Sequence, residues 1–205
     1  MQPSRTYSWL ALGDSYTIGE SVSEQDRWTS QLVELAGKAD LTLKVKTIAQ
    51  TGWTTSELSD AITREQIKGS FDFVSLLIGV NNQYRGESLK QYQAEFKALL
   101  EQAIKYAGGR RNHVFVLSIP DYGVTPFGSK KDPVKIRKEI DEFNRINYMK
   151  SLLEKVNYVN ITDHSRKAMD NPALISTDDL HPSQLMYKYW AAELKARLDL
   201  IFEKK

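Results

Sequence analysis

Short apolar segments alternate with longer amphipathic ones along most of the chain, and no other feature of the sequence constrains the fold as strongly. The apolar segments are rich in branched and aromatic residues, which is typical of buried strands. The amphipathic segments place their apolar residues at helical spacing. We predict strands over residues 7–12, 41–48, 71–78, 113–119 and 158–161, and helices over 28–38, 55–68, 88–106, 133–156 and 182–202.

Helices between consecutive strands predict a parallel arrangement, because a helical crossover returns the chain to the edge of the sheet where the previous strand began. The pattern therefore predicts an α/β protein with a five-stranded parallel sheet covered by helices on both faces. The 205 residues contain no repeat or linker, so we expect one domain over residues 1–205. Two irregular segments, 121–132 and 171–181, are long enough to suggest functional loops.

Composition argues against several classes of protein. The net charge is only +2 and no basic run is longer than two residues, as at Arg110 and Arg111, which is too little for nucleic-acid binding. The absence of cysteine excludes disulfides and thiolate chemistry. No apolar run is long enough to span a bilayer, and the N-terminus lacks the apolar core of a signal peptide. We therefore expect a cytoplasmic protein without an integral membrane segment.

Chemically reactive residues follow the predicted strands. In open parallel sheets, ligands bind beyond the carboxyl ends of the strands, so residues at these positions are expected to converge. Acyl transfer through a serine requires a hydroxyl, an imidazole, a carboxylate and N–H donors. The loops supply all of these: Ser15 after the first strand, Gly52 after the second, Asn81 after the third, and Asp178 with His181 before the last helix.

Ser15 and His181 are the predicted nucleophile and general base. A serine hydroxyl is a weak nucleophile and needs a base within hydrogen-bonding reach. Asp178 precedes His181 by three residues, a spacing that lets its carboxylate reach the imidazole and select the tautomer. Pro182 disfavours helical geometry at His181 and so keeps the ring in the loop. Of the other histidines, His113 opens a strand at the wrong edge, whereas His164 stays open as an alternative base.

Three N–H donors are available for the oxyanion of a tetrahedral intermediate. The backbone N–H groups of Ser15 and Gly52 and the side-chain amide of Asn81 are the candidates. Each preorganised donor contributes roughly 10²–10³ in rate. The same residues also have simpler interpretations, because an isolated serine often caps a helix and isolated Gly and Asn often form turns.

Taken together, these segments resemble the SGNH, or GDSL-type, esterase and lipase family, whose signature residues are Ser, Gly, Asn and His in that order. The resemblance extends from residue 13 to residue 182. Tyr16 stands where Leu is commonest in the motif, and its side chain is expected to pack. Asn82 stands where Asp usually follows the Asn. The matching blocks are Gly13-Asp14-Ser15, Gly52, Gly79-Val80-Asn81 and Asp178-Asp179-Leu180-His181-Pro182.

The resemblance implies a flavodoxin-like, three-layer α/β/α sandwich that needs neither a metal nor an organic cofactor. It implies a catalytic role for Ser15, Asp178 and His181, with Ser15, Gly52 and Asn81 forming the oxyanion hole. Trp53 and Tyr122 are candidates to line the substrate pocket, as are Tyr84, Phe127 and Met186.

The predicted function is a serine esterase or acylhydrolase that cleaves carboxylic esters through an acyl-enzyme on Ser15, in the manner of a lipase or lysophospholipase. A carbohydrate O-acetylesterase of the same fold is the alternative. A flavodoxin-like binding module without catalysis is a more distant one, although phosphate-binding glycine motifs are absent. A metal site built from Asp14, Asp178, Asp179 and His181 is a further, remote alternative. The expected partner is a small ester, and the oligomeric state stays open.

Overall fold

The computed structural model describes residues 5–39 and 41–202. Five strands form one parallel sheet in the order β2-β1-β3-β4-β5, which is the flavodoxin-like order and confirms the predicted fold class. The strands are β1 (Arg5–Gly13), β2 (Leu41–Ala49), β3 (Phe73–Leu77), β4 (Val114–Leu117) and β5 (Asn157–Val159).

Helices cover both faces of the sheet. The helix between β1 and β2, α2 (Trp28–Gly37), packs on the last helix, α9 (Gln184–Phe202). The helix α5 (Leu89–Tyr106) packs between α3 (Thr55–Arg64) and α7 (Pro133–Glu154). Within residues 5–39 and 41–202, no helix has the length and apolarity needed to cross a membrane. The helices are α1 (Ser15–Ile18), α2 (Trp28–Gly37), α3 (Thr55–Arg64), α4 (Val80–Tyr84), α5 (Leu89–Tyr106), α6 (Pro126–Ser129), α7 (Pro133–Glu154), α8 (Thr162–Arg166) and α9 (Gln184–Phe202).

The centre of the sheet is buried on both faces, as expected for a parallel sheet between two helical layers. Every residue of β3 and β4 is buried, which explains why these segments are almost continuously apolar in the sequence. Trp9 stacks on Phe73 with ring centroids 5.2 Å apart and contacts Trp28 at 5.4 Å. Its indole N–H donates to Ser75 Oγ at 3.0 Å, so the one polar atom of the ring is satisfied within the core.

Three helices differ by two or more residues from their predicted extent because local backbone geometry intervenes. The helix predicted over 133–156 ends at Glu154, and Lys155 adopts a left-handed conformation with φ of +56°. The helix predicted over 55–68 ends at Arg64, and Gln66 adopts a left-handed conformation with φ of +44°. The helix predicted over 182–202 begins at Gln184, because Pro182 forms a β-bridge with Ile175. The start of α3 agrees with its prediction, since Thr54 and Glu57 form a reciprocal capping box.

The segment 121–132 is more regular than the sequence suggested. It contains a short 3₁₀ turn followed by α6, whose N-terminus is capped by the Thr125 hydroxyl. Pro126 occupies the first position of α6, where its missing N–H costs no hydrogen bond. The turns are too short to produce a helical period, which is why the sequence pattern predicts a loop there.

The strand order places a topological switch point at the carboxyl ends of β1 and β3, where the connections leave for opposite sides of the sheet. These strands are neighbours, with Gly13 opposite Leu77 in the register, while β2 lies on the other side of β1. Ligand sites of doubly wound sheets form at such a point. Gly13 is required there, since a Cβ would lie 2.2 Å from Thr17 Oγ1 and 2.6 Å from the Leu77 carbonyl oxygen.

Candidate active site

The predicted nucleophile opens the short helix that follows β1. Asp14 caps this helix by accepting a hydrogen bond from the Tyr16 N–H at 3.0 Å, and Ser15 is its first residue. The Ser15 side chain is largely buried, with 4% of its surface exposed, at the rim of a pocket. The tight turn thus presents the hydroxyl at the carboxyl edge of the sheet.

The predicted base and its carboxylate form a compact turn before α9. Asp178 Oδ2 lies 2.6 Å from His181 Nδ1. The other carboxylate oxygen accepts hydrogen bonds from the backbone N–H groups of Leu180 at 3.0 Å and His181 at 2.9 Å. Because Nδ1 faces the carboxylate, Nε2 is the imidazole nitrogen left for acid–base chemistry.

Asp178 is held in its ionised form. Burial would raise the pKa of this carboxyl, but the hydrogen bonds from the Ser21 hydroxyl, the His181 ring and two backbone N–H groups outweigh that effect. The pKa of Asp178 therefore lies well below its ordinary value. The carboxylate is available as a hydrogen-bond acceptor for His181 throughout the neutral pH range.

One pocket joins Ser15, Asn81 and His181. It has a volume of about 220 Å³, and its remaining wall is mostly apolar and aromatic. A wider surface groove of about 880 Å³ lies between α5 and α7, but none of the residues at the strand ends contributes to it. The smaller pocket therefore combines the candidate chemistry with a binding surface, and its lining comprises Ser15, Tyr16, Val80, Asn81, Tyr84, Tyr122, Phe127, Leu180 and His181.

The aromatic wall consists of Tyr84, Tyr122 and Phe127. Their ring centroids lie 6.2–6.5 Å apart in pairs. Burial raises the pKa of Tyr122 to about 12, so its hydroxyl stays protonated at neutral pH. The Phe127 N–H donates to the Asp179 carbonyl at 3.0 Å, which joins this wall to the turn that carries His181.

Asn81 connects the loop after β3 to the loop after β2. Its side-chain amide donates to the Trp53 carbonyl at 2.9 Å. Gly52 directly precedes Trp53 in the chain, so this bond holds the Gly52 loop against the Asn81 loop. Gly52 has φ of +87°, and its carbonyl accepts from Arg85 Nη2 at 2.7 Å. Neither Gly52 nor Trp53 belongs to the pocket lining, so the prediction that Trp53 lines the pocket is not supported by this arrangement.

Asn82 braces the loop of Asn81. It is fully buried, accepts a hydrogen bond from the Thr55 N–H at 3.1 Å, and donates to Thr55 Oγ1 and Glu87 Oε2, each at 2.7 Å. An amide can accept and donate at once, whereas a carboxylate can only accept. The amide at this position therefore fits partners of both kinds and ties the loop to the start of α3.

Several other predicted residues lie away from the pocket. His164 Nε2 is 3.2 Å from Glu193, and its ring stacks on Tyr189, which gives it a place on the face of α9. Met186 is buried in the core. Among residues 5–39 and 41–202, no cluster of three His, Asp or Glu side chains could hold a metal ion, so the four-residue metal site does not form.

Three residues of the site were not identified from the sequence. Val80 and Leu180 belong to the matching blocks, but an apolar side chain beside a reactive one carries no signal of its own. Ser21 donates a hydrogen bond to Asp178 from 157 residues away in the chain, and no local pattern marks it. Tyr16 packs as expected, edge-on to His181 with the ring centroids 5.5 Å apart.

Asp14 is buried beside the nucleophile, with 1% of its surface exposed. Burial raises the pKa of its carboxyl to about 7, although the backbone N–H groups of Tyr16 and of Asp14 itself lower it. Its Oδ2 has no hydrogen-bond partner among the described residues. Since the folded protein holds this proton more tightly than the unfolded chain does, the free energy of unfolding should fall as the pH rises from about 4 to about 7.

Asp14→Asn is expected to remove this loss, because the amide keeps the cap oxygen without the charge. The variant's stability relative to wild type should increase by about 2–4 kcal/mol between pH 4 and pH 8. Urea unfolding at a series of pH values measures this difference. Asp132→Asn, the same change at the exposed cap of α7, is the matched control and should show no comparable increase. A stability difference for Asp14→Asn that stays constant with pH would contradict the assignment.

A serine and a histidine that share a pocket at the carboxyl edge of a doubly wound sheet, with an aspartate 2.6 Å from the histidine ring, are typical of one class, the serine-type ester hydrolases with an α/β/α fold. Comparison with known families narrows this class. The chain belongs to the GDSL-like Lipase/Acylhydrolase family, whose sequence model matches residues 11–189. It is therefore a carboxylic ester hydrolase of the SGNH, or GDSL, type.

Solved structures agree with this fold. Axe2, an acetylxylan esterase from Geobacillus stearothermophilus, superimposes with a TM-score of 0.74 at 19% identity, covering 97% of this chain and 96% of Axe2. TesA superimposes with a TM-score of 0.72 at 16% identity, covering 95% and 99%. The psychrotrophic esterase EstA from Pseudoalteromonas sp. gives 0.71 at 15% identity, covering 96% and 99%. No curated protein matches the sequence of this chain.

Proposed function

We propose that the protein is a serine esterase that hydrolyses carboxylic esters with short acyl chains through an acyl-enzyme on Ser15. The observation that carries this proposal is the pocket of about 220 Å³ shared by Ser15, Asn81 and His181, next to the 2.6 Å contact between His181 and Asp178. The nucleophile Ser15 comes from the N-terminal part of the chain. The base His181 and its carboxylate Asp178 come from the C-terminal part.

The reaction has two steps. Ser15 Oγ attacks the ester carbonyl carbon while His181 Nε2 takes the hydroxyl proton, and the proton then passes to the departing alcohol. Water next attacks the acyl-serine with His181 again as base, which releases the carboxylic acid and restores the serine. Asp178 stabilises the imidazolium in both steps, and its lowered pKa keeps it a carboxylate while it does so.

The oxyanion that develops in each step is assigned to the backbone N–H groups of Ser15 and Gly52 and the amide of Asn81. Ser15 and Asn81 lie on the pocket, which supports their part in this assignment. The bond from Asn81 to the Trp53 carbonyl uses one of its two amide hydrogens and leaves the other for a ligand. Gly52 is assigned from the family motif and from its place next to Trp53.

The size and lining of the pocket favour a short acyl group. Sites that enclose drug-sized ligands usually measure about 300–1,000 Å³, and this pocket is smaller. Tyr84, Tyr122 and Phe127 offer an apolar surface on which a few methylene groups could be buried. A lysophospholipase-like activity would need room for a much longer chain.

Carbohydrate O-acetyl esters are the second candidate substrates. The Tyr84 ring stands at the pocket with 51% of its surface exposed, in a position where a sugar ring could stack on it. Axe2, which shares the fold, is an acetylxylan esterase. In this case the pocket would hold only the acetyl group, and the sugar would lie outside it.

A series of p-nitrophenyl esters from acetate to dodecanoate tests the proposal. We expect kcat/KM to be highest for acyl chains of up to about six carbons and to fall for longer ones. A maximum at dodecanoate would overturn the short-chain assignment in favour of a lipase. Faster release of acetate from acetylated xylose than from p-nitrophenyl acetate would favour the carbohydrate substrate. Failure to hydrolyse any of these esters would refute the esterase function.

A further inference from the structure

Ser21 lies beyond the nucleophile helix, in a segment to which the proposed mechanism gives no role. Its hydroxyl donates to Asp178 Oδ2 at 2.6 Å. The same oxygen lies 2.6 Å from His181 Nδ1. The carboxylate oxygen that orients the proposed base therefore has a second partner. That partner lies in the segment that follows the helix of Ser15.

The segment that carries Ser21 is fixed at both ends. The Ser15 carbonyl accepts hydrogen bonds from the N–H groups of Gly19 at 3.0 Å and Glu20 at 3.1 Å. The Ser21 carbonyl in turn accepts from the Ser176 hydroxyl at 3.3 Å, in the loop that leads to Asp178. The backbone of the nucleophile is thus connected to the carboxylate by hydrogen bonds on either side of the peptide bond between Glu20 and Ser21.

The backbone of Ser21 adopts a conformation that serine rarely takes. Its φ is +66°, in the left-handed region that glycine and asparagine tolerate best. Such conformations persist when the surroundings hold them, and they concentrate at functional sites. The side-chain bond to Asp178 and the carbonyl bond from Ser176 are the contacts that hold this one.

We propose that Ser21 is a positioning residue for ester hydrolysis, which acts by donating its hydroxyl to Asp178 Oδ2 and so fixing the rotamer and the charge of the carboxylate that orients His181. The inference rests on the proposed function, because it needs His181 to act as the base. Ser21 itself does not touch the reacting atoms. A second donor limits the rotation of the carboxylate, and it also withdraws part of its negative charge from the imidazole.

Two variants separate the hydroxyl from the backbone strain. Ser21→Ala removes the hydroxyl and keeps a side chain in the left-handed region, whereas Ser21→Gly removes the hydroxyl and relieves the strain. We expect both to lower kcat by about 5- to 30-fold with little change in KM, because the exposed hydrogen bond that is lost is charge-assisted and its acceptor orients the proposed base. The Tm of Ser21→Gly should stay within about 3 °C of the wild-type value.

Ser23→Ala is the matched control. Ser23 makes the same kind of bond two residues further along, from its hydroxyl to Asp26 Oδ2 at 2.6 Å, but that carboxylate has no contact with His181. Its loss should leave kcat within about 2-fold of wild type, because Asp26 does not hold the ring of the proposed base as Asp178 does.

The pH profile distinguishes positioning from simple stabilisation. Without the Ser21 donor, Asp178 presents more negative charge to the protonated imidazole, so the acid limb of kcat/KM should move to higher pH by about 0.3–1 unit. The Ser23→Ala profile should not move. The substitutions leave the other titratable groups that act around this site unchanged, namely Asp14, Tyr16, Glu20, Asp121, Tyr122 and Tyr187.

A Ser21→Gly enzyme with wild-type kcat and an unmoved acid limb would overturn the proposal. A variant that lost only thermal stability would do the same, since a structural role alone would then suffice. The failure of the proposed function is a separate result: hydrolysis that survives Ser15→Ala would refute the mechanism, whatever Ser21 does. If Ser15→Ala is inactive and Ser21→Gly is fully active, only the role of Ser21 is lost.

Discussion

Ser15→Ala is expected to lower kcat for p-nitrophenyl acetate by about 10⁴–10⁶-fold, because Ser15 carries the only aliphatic hydroxyl among the described residues that line the pocket. The remaining rate would come from oxyanion stabilisation and binding alone. Binding itself should persist, since the substitution removes one oxygen atom and leaves the aromatic wall intact.

The measurement has a covalent counterpart. A p-nitrophenyl phosphonate should add one phosphonyl group per wild-type chain, located at Ser15 by peptide mass spectrometry, and none to Ser15→Ala. Ser129→Ala serves as the control, because its exposed hydroxyl donates to the Pro126 carbonyl at the end of α6 and does not line the pocket. Hydrolysis by Ser15→Ala at more than about a hundredth of the wild-type rate would exclude the acyl-serine route.

His181→Ala is expected to reduce kcat by about 10⁴–10⁶-fold as well, since without the imidazole the Ser15 proton has no acceptor within the pocket. The substitution also opens space beside Tyr16 and next to Asp178. Added imidazole could occupy that space and accept the proton. We therefore expect imidazole to restore part of the activity of His181→Ala and none of the activity of Ser15→Ala.

His164→Ala provides the comparison for this result. The His164 ring pairs with Glu193 and stacks on Tyr189, so its loss should lower Tm while leaving kcat within about 3-fold of wild type. A large loss of kcat in His164→Ala, together with an active His181→Ala, would reverse the assignment of the base.

The parallel sheet could be predicted from the sequence because its signal is local. The buried strands β3 and β4 read as continuous apolar runs, and the helices between strands repeat at a period that depends only on neighbouring residues. Where boundaries differ, a single backbone conformation is responsible, as at Gln66 and Pro182. The short helix α6 escaped prediction since one turn cannot show a period.

The candidate site was predictable only in its chemistry. The contact of His181 with Asp178 follows from a spacing of three residues, and the structure places His181 Nδ1 2.6 Å from Asp178 Oδ2. The position of Trp53 does not follow from its neighbours: its carbonyl contacts Asn81, while the pocket wall is built by other aromatic residues. Which aromatic ring faces a cavity depends on how two loops pack against each other. The sequence of one loop alone does not predict that packing.

The sequence by itself determined the class of fold, the order of the reactive residues and the edge of the sheet at which they meet. These properties follow from local periodicity and from the geometry of parallel strands, in which all carboxyl ends lie together. The tertiary structure alone decided the volume of the pocket, its aromatic wall and the bond between Ser21 and Asp178. Those features arise between segments up to 157 residues apart, where packing and not local sequence sets the distance.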